Sequence, residues 1–506
     1  MKQIFYFRVI DYINIDFTIE KSEIYLQMII SKSIASKGVL VFSLIAMSFL
    51  SCGKQVSNVS EANPWKKMEL IVKSIPQTHF LDKTYNVMNY GAVADGKTSN
   101  TAVFEKAIKA CAENGGGKVL VPNGKYLTGP IHLESNVNLH LEDNAEILFS
   151  IDSKEYPLVH TSFEGTELMN HSPLIYAKNK TNVAITGKGT LNGQANNTNW
   201  WIWAGTKIYG WEKGIPSQND PLNRIALIEM AEKGITVEQR VFGEGHYLRP
   251  NFIEFFECNT VLVKDITIIN APFWILHPIK SNNVIVDGVT VNSHGPNNDG
   301  CDPEYSQNVI IRNCTFNTGD DCIAIKSGRD ADGRRVGIPS KNIIVQNCKM
   351  IDGHGGVVMG SEISAGVNNV FVENCVMDSP NLERAIRIKT NSKRGGTTED
   401  IYVRNIEVGT VKECVLRATM FYDVYGSQSG NFIPTIKNIS LENIRVKNGG
   451  KFGILADGYA ESPVENITFK DVVIEKVDSV YSLKNVKNIN FISTYINGKK
   501  VESITN

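Results

Sequence analysis

Four short stretches of this sequence carry side chains that could do acid–base chemistry together. They are "NNDGCDP" at residues 297–303, "TGDDC" at 318–322, "DGHGG" at 352–356 and "RAIRIKT" at 384–390. They offer Asp299, Asp320, Asp321 and His354, followed by the basic pair Arg387 and Lys389. Three carboxylates brought into one cleft cannot all ionise easily, so one should keep a proton at neutral pH. A protonated acid beside ionised ones is what hydrolysis of a glycosidic bond requires: one group protonates the leaving oxygen while another activates water. A guanidinium fork and an ammonium beside them form a local basic patch that suits an anionic group. Clustered acids can instead hold calcium, but a histidine within the cluster and a lysine beside it disfavour a hard-cation site. Adjacent aspartates on a loop are ordinarily solvated and inert. The chemistry therefore depends on whether the chain brings all four stretches to one face.

A repeat supplies that positioning. From residue 261 one octet returns nine times: "VLVKDITI" at Val261, "VIVDGVTV" at Val284, "VIIRNCTF" at Val309, "IIVQNCKM" at Ile343, "VFVENCVM" at Val370, "IYVRNIEV" at Ile401, "ISLENIRV" at Ile439, "ITFKDVVI" at Ile467 and "INFISTYI" at Ile489. Weaker relatives begin at Val137 and Val183. Positions one, three, six and eight are apolar in nearly every copy. Two residues alternate, the phase slips by one, and two more alternate; alternation is the strand period. The slip needs a bend, and the fifth position is Asn, Asp or Gly in eight of nine copies, residues that tolerate left-handed backbone. Copies start 22 to 38 residues apart, which suits one coil of a solenoid with loops of varying length. The pattern predicts an all-β fold, a right-handed parallel β-helix, with the hand taken from the general crossover preference.

On this ruler Asp299 lies 15 residues after Val284, Asp320 and Asp321 lie 11 and 12 after Val309, and His354 lies 11 after Ile343. Arg387 and Lys389 lie 17 and 19 after Val370. Four successive coils thus carry these groups to roughly one face, where neighbouring strands stand ~4.8 Å apart. Asp320 and Asp321 both reach the groove only if the backbone bends, and Gly319 is expected to permit the bend.

The remaining segments divide as follows. "TAVFEKAIKACAEN", residues 101–114, has Phe104, Ile108 and Cys111 at helical spacing and stops at Gly115–Gly117, so it is the expected cap of the first coil. Residues 53–84 carry no repeat and read as a tether and lead-in; 85–500 read as a single catalytic β-helix, with a long loop insertion or subdomain at 195–250. The sixth octet position holds Cys314, Cys348 and Cys375 among aliphatics, so a buried thiol stack is favoured over disulfides. Lys32 and Lys37 precede a 13-residue apolar run, 38–50, followed by Ser51 and Cys52. That run is shorter than the ~20 residues that span a bilayer and reads as an export signal. Residues 1–52 are the expected leader, with Met28 as the start that fits a signal and Cys52 resembling the lipidated cysteine of bacterial lipoproteins. A plain secretory signal and an uncleaved anchor are the alternatives. A periplasmic protein whose membrane contact is a lipid anchor at Cys52 is expected. The net charge of -1 argues against nucleic acid as a partner. Nothing in the sequence bears on oligomeric state.

In this order on a β-helix, "NND", "GDDC", "GHGG" and "RIK" resemble glycosyl hydrolase family 28, the polygalacturonases. The likeness covers about residues 85–480, including "YNVMNYGAVADGKTSNTAVFEKAI". Asn298 stands where the family motif has Thr. The resemblance implies inverting hydrolysis of α-1,4-linked galacturonic acid in pectin fragments, with no metal or other cofactor. It implies that Asp320 is the general acid, that Asp299 and Asp321 hold and deprotonate the attacking water, and that His354 tunes the acid. Arg387 and Lys389 would bind the substrate carboxylate, and Asn297 would touch the sugar beside the scissile bond. An inverting route suggests an acid–base gap of ~6.5–9.5 Å. Relatives acting on rhamnogalacturonan tend to lack the basic pair, so homogalacturonan is favoured. The insertions 195–250 and 328–342 resemble those of exo-acting bacterial members and could wall off one end of a groove. Endo-acting polygalacturonase, rhamnogalacturonan hydrolase, calcium-dependent pectate lyase and a non-catalytic carbohydrate-binding β-helix are the alternatives. Trp200, Trp201 and Trp203 would either stack on a sugar or pack inside their loop. Lys326, Arg329, Arg334 and Arg335 would either add positive charge near the site or lie on a solvated loop. His246 and His277 read as structural, and Tyr422 as a subsite candidate.

Overall fold

The computed structural model describes residues 63–423 and 430–502. The expected leader, the lipidation site Cys52 and residues 53–62 lie outside the described residues. The octets at Val261 to Val370 and at Ile489 run as strand, bend and strand, while those at Ile401, Ile439 and Ile467 lie within the single strands Thr397–Thr410, Thr435–Asn448 and Val464–Lys476. The fifth residue sits at positive φ in each copy, from 48° at Ser493 to 71° at Gly288. Even Ser493, the one fifth residue that is not Asn, Asp or Gly, takes this conformation. The octet starts pair in one parallel register, Val261 with Val284, Val309, Ile343, Val370, Ile401, Ile439, Ile467 and Ile489 in turn. A further left-handed residue precedes each octet, among them Asn283, Asn308, Asn342 and Asn369. Their amides form a ladder, with Asn342 Nδ2 donating to Asn308 Oδ1 at 2.9 Å and Asn369 Nδ2 to Asn342 Oδ1 at 3.2 Å. Each coil then turns into a third parallel face, made by Leu276–Ile279, Ile323–Ile325, Val357–Gly360, Arg384–Lys389 and Cys414–Thr419, with Cys301 and Glu304 bridging the first two. The whole is a right-handed parallel β-helix.

The interior is a stack of like side chains. Ile266, Val289, Cys314, Cys348, Cys375, Ile406, Ile444 and Val472 follow one another down the coils, all buried. The described cysteines are free and buried, and the thiols of Cys258, Cys314, Cys322, Cys348 and Cys375 donate to backbone carbonyls, as Cys314 Sγ does to Arg312 O at 3.1 Å. A helix at Thr101–Glu113 buries Phe104, Ile108 and Cys111 against the first coil.

Other elements lie outside the repeat. Part of the segment expected to be a tether is an ordered helix, α1 (Pro64–Ser74), which packs Trp65 and Met68 onto Ile285, Ile310, Ile344 and Phe371. An antiparallel hairpin, Leu158–Phe163 with Thr166–His171, was not anticipated. It carries part of the 195–250 insertion, since Phe242 N donates to Met169 O at 2.7 Å. That insertion is mostly irregular, with one α-helix at Arg224–Glu232. Phe163, Leu168, Leu227, Phe242, Phe273 and Trp274 form a separate small core beneath it.

Candidate active site

The chemistry-bearing stretches meet where the coils enter the third face. Asp299 lies just before the bridge residue Cys301, Asp320 and Asp321 just before Ile323–Ile325, and His354 just before Val357–Gly360; Arg387 and Lys389 belong to Arg384–Lys389. Backbone hydrogen bonds hold the turns in register: Gly300 N to Asp321 O at 3.0 Å, Cys322 N to Gly355 O at 2.8 Å, and His354 N to Asp320 O at 3.1 Å. One carboxylate oxygen from each of Asp299, Asp320 and Asp321 lies within 4.8 Å of the others, so the acids share a cleft. These oxygens are closer than the ~6.5–9.5 Å expected from a two-carboxylate inverting site, because three acids converge on stacked turns. Gly319 is not left-handed. It is required instead for close approach, since a Cβ there would sit 2.5 Å from Gly295 O.

Each acid has a cationic partner. His354 Nδ1 lies 2.9 Å from Asp320 Oδ1, Lys389 Nζ 2.7 Å from Asp321 Oδ2, and Lys326 Nζ 3.4 Å from Asp299 Oδ2. Arg387 adds a contact of 3.5 Å to Asp321 Oδ1. The Asp321 side chain is 0% exposed and that of Asp320 19%, so Asp320 is the acid of that pair open to a ligand. Asp320 Oδ1 also accepts from Asp321 N at 2.9 Å. With two donors on Oδ1, a proton for delivery rides on Oδ2.

Burial raises Asp299 to about 7, helped by the Asp320 charge. Burial opposes ionisation of Asp320 too, but His354, Lys389 and Lys326 outweigh it and hold that carboxyl below the usual range. In return Asp320 lifts His354 to about 9. Asp302, fully buried beside Asp299, is pushed well up by burial and by the Asp299 charge, so the cluster's protons lie toward Asp299 and Asp302 rather than on Asp320, the expected donor. A calcium ion would have to displace His354, Lys326 and Lys389 from three carboxylates together, so the donor set does not fit a hard cation.

Asn297 lines the cleft, its Oδ1 accepting from Arg249 Nη2 at 2.8 Å. Asn298 points inward: Ser293 Oγ and Gly295 N donate to its Oδ1 at 2.6 Å and 2.8 Å, so it secures the turn. Tyr422 lines the cleft beside the basic pair, with Lys389 Nζ 5.2 Å from its ring centroid. Trp200, Trp201 and Trp203 do not line it. Trp200 is buried against Tyr156 and Trp203, and Trp201 Nε1 donates to Ala271 O at 2.8 Å. His277 is buried between Glu254 and Glu304, at 3.1 Å and 2.9 Å, and His246 bonds Asn223.

Several lining residues were not legible from spacing. Lys326 and Arg329 are buried rather than solvated, and both face the cleft with Glu164, Trp274 and Glu362. Arg334 and Arg335 turn away, Arg334 onto the Phe432 ring and Arg335 to Asp332. Glu164, Trp274, Lys326, Arg329 and Glu362 form one end of a cavity of about 260 Å³. The hairpin tip forms the wall, where Arg329 N donates to Gly165 O at 2.8 Å. On the other side of His354 the surface continues into a second hollow, lined by the exposed residues His294, Asn381 and Lys412.

Comparison with known proteins agrees with this geometry. The family described as "Glycosyl hydrolases family 28" matches residues 240–494, and one described as "Rhamnogalacturonase A/epimerase, pectate lyase-like" matches 84–151. A "Probable polygalacturonase" of Vitis vinifera is 30% identical over 406 residues, 77% of this chain and 74% of the relative. An "Exo-poly-alpha-D-galacturonosidase" of Dickeya chrysanthemi is 27% identical over 362 residues, 68% of this chain and 58% of the relative. The solved structure of a hyperthermoactive exopolygalacturonase from Thermotoga maritima superposes with a TM-score of 0.83 at 43% identity, covering 87% of this chain and 97% of that one.

Proposed function

The chain belongs to the glycosyl hydrolases of family 28, and from that premise we propose that it releases galacturonate from the ends of polygalacturonate chains by inverting hydrolysis. The observation that carries the exo reading is the wall of Glu164, Arg329, Trp274 and Glu362, which stops the acid-lined cavity at one end while the other end runs on into an exposed hollow. A chain can enter such a cleft only by its terminus.

Asp320 lies with His354 on the open side and protonates the leaving oxygen from Oδ2. Asp299 lies beside Lys326 toward the wall and, with Asp321, holds the water that attacks the sugar there. The walled sugar is therefore the glycosyl donor, the non-reducing unit. Arg387 and Lys389 share one acid, Asp321, between two positive charges, and the surplus seats a uronate carboxylate. When that carboxylate arrives it draws the two cations from the acids, Asp320 loses part of what keeps it ionised, and the shared proton moves toward it.

The test is trigalacturonate and longer polygalacturonate digested with purified enzyme, with products separated by size and the first-formed anomer read by proton NMR. Galacturonate released stepwise from one end, initially as the β-anomer, is expected. A spread of internal fragments from longer chains would remove the exo reading, and an initial α-anomer would remove inversion.

A further inference from the structure

The walled end holds a second pair of carboxylates that the hydrolytic step does not use. Glu164, at the hairpin tip, accepts from Arg329 Nη1 at 3.0 Å and pairs with Arg224 Nη2 at 3.1 Å. Glu362 lies 3.4 Å from Lys326 Nζ and 3.6 Å from Arg329 Nη2, and Ser361 Oγ donates to it at 2.8 Å. Both glutamates are buried and both line the cavity. Arg329 stands between them at 5% exposure, and its Nε–H has no acceptor among the described residues. A buried guanidinium N–H left without an acceptor is costly, and at the edge of this cavity a ligand oxygen can supply one. A carboxylate has about four acceptor positions, so each glutamate can take a further O–H while keeping its cations.

We propose that Glu164 and Glu362, with Arg329 between them, read the 3- and 4-hydroxyls of the non-reducing terminal galacturonate. Two neighbouring hydroxyls can donate to the two carboxylates while one accepts from Arg329. An internal sugar has no free 4-hydroxyl, because the glycosidic bond occupies it, so this set recognises a chain end by chemistry as well as by the wall. The glutamates are specificity determinants, not groups on the reacting atoms. The proposal rests on the exo reading above.

The experiment compares wild type, Glu164→Gln and Glu362→Gln on two trimers: saturated trigalacturonate and its counterpart with a 4,5-unsaturated non-reducing unit, which lacks the 4-hydroxyl. Wild type should favour the saturated trimer in kcat/KM by about 100-fold or more, since a site built to bond a hydroxyl rejects the analogue lacking it. Each variant should lose about 10–100-fold on the saturated trimer and much less on the unsaturated one, so the preference collapses. Equal wild-type rates on both trimers, or variants that fall equally on both, would overturn the proposal. If one variant does not fold, the other variant and the wild-type preference still decide it. Failure of wild type to cleave the saturated trimer would instead refute the hydrolase reading.

Discussion

At the scale of single residues, catalysis turns on where one proton sits among three acids. Asp320→Asn removes the donor oxygen without changing shape, and kcat should fall by about 10²–10⁴-fold, the usual contribution of a positioned acid. A variant retaining a tenth of the wild-type rate would show that Asp320 is not the donor. Asp299, raised to about 7 by burial and by Asp320, should appear as a carboxyl titrating near neutrality in ¹³C NMR, and that signal should vanish in Asp299→Asn. The alkaline limb of the kcat/KM profile should follow the same value, because above it Asp299 has no proton to pass to Asp320. An alkaline limb set instead near 9, where His354 titrates, would move the controlling group to the histidine. The sequence made Asp299, Asp320, Asp321, His354, Arg387 and Lys389 legible because coil spacing alone fixes their common face. It left Lys326 open between the site and a solvated loop, and it did not reveal Glu164 or Glu362. Lys326 lies past the end of a three-residue strand, Glu164 comes from an antiparallel hairpin with no repeat to count along, and Glu362 follows the end of its strand.

At the scale of elements, the hairpin must be fixed to the coils for the wall to exist, and a buried ionic knot does this. Thr161 Oγ1 donates to Glu254 Oε2 at 2.8 Å and Ser162 Oγ to Glu304 Oε2 at 3.2 Å. His277 bridges the two glutamates. Burial alone would lower His277, but the two glutamates overcome it and raise the imidazole to about 9. A raised folded-state value means stability that is complete below the unfolded pKa of ~6.5 and is lost as pH climbs through about 9, worth at most about 3 kcal/mol. His277→Gln should abolish this alkaline loss. Amide protection in residues 158–171 should then be lower at neutral pH and, after correction for the base-catalysed intrinsic rate, no longer fall between pH 7 and 10. Unchanged exchange in that hairpin would mean the imidazolium does not hold it. The octets were readable as strand, bend and strand because period and bend chemistry agree, whereas the hairpin has neither a Gly-rich turn signal beyond Glu164–Gly165 nor a repeated partner.

At the scale of the whole molecule, the proposed catalytic groups come from four coils that are braced from behind. The second octet position faces outward and should be polar, yet Leu262, Ile285, Ile310, Ile344, Phe371 and Tyr402 are apolar there, and only from Ser440 onward does polarity return. Helix α1 covers this outward stripe. Trp65 meets Phe371 edge-to-face at 6.1 Å and lies under the Arg404 guanidinium at 3.9 Å, and Lys67 Nζ donates to Asn369 Oδ1 at 2.6 Å. The stripe was present in the sequence, but its meaning depended on a partner 200 residues away that carries no repeat. A solenoid coil contacts only its neighbours, so a helix laid across several coils couples them where stacking alone would not. Trp65→Ala should cost about 3 kcal/mol. It should raise amide exchange in the strands at 284–287, 309–312, 343–346 and 370–373, while strands beyond Ile439 stay protected. The same variant should lower kcat more than it changes KM, because proton transfer among Asp299, Asp320 and His354 requires their coils in fixed register and carboxylate capture by Arg387 and Lys389, both on one coil, does not. Uniform loss of protection along the chain would show that α1 adds general stability without bracing the catalytic coils.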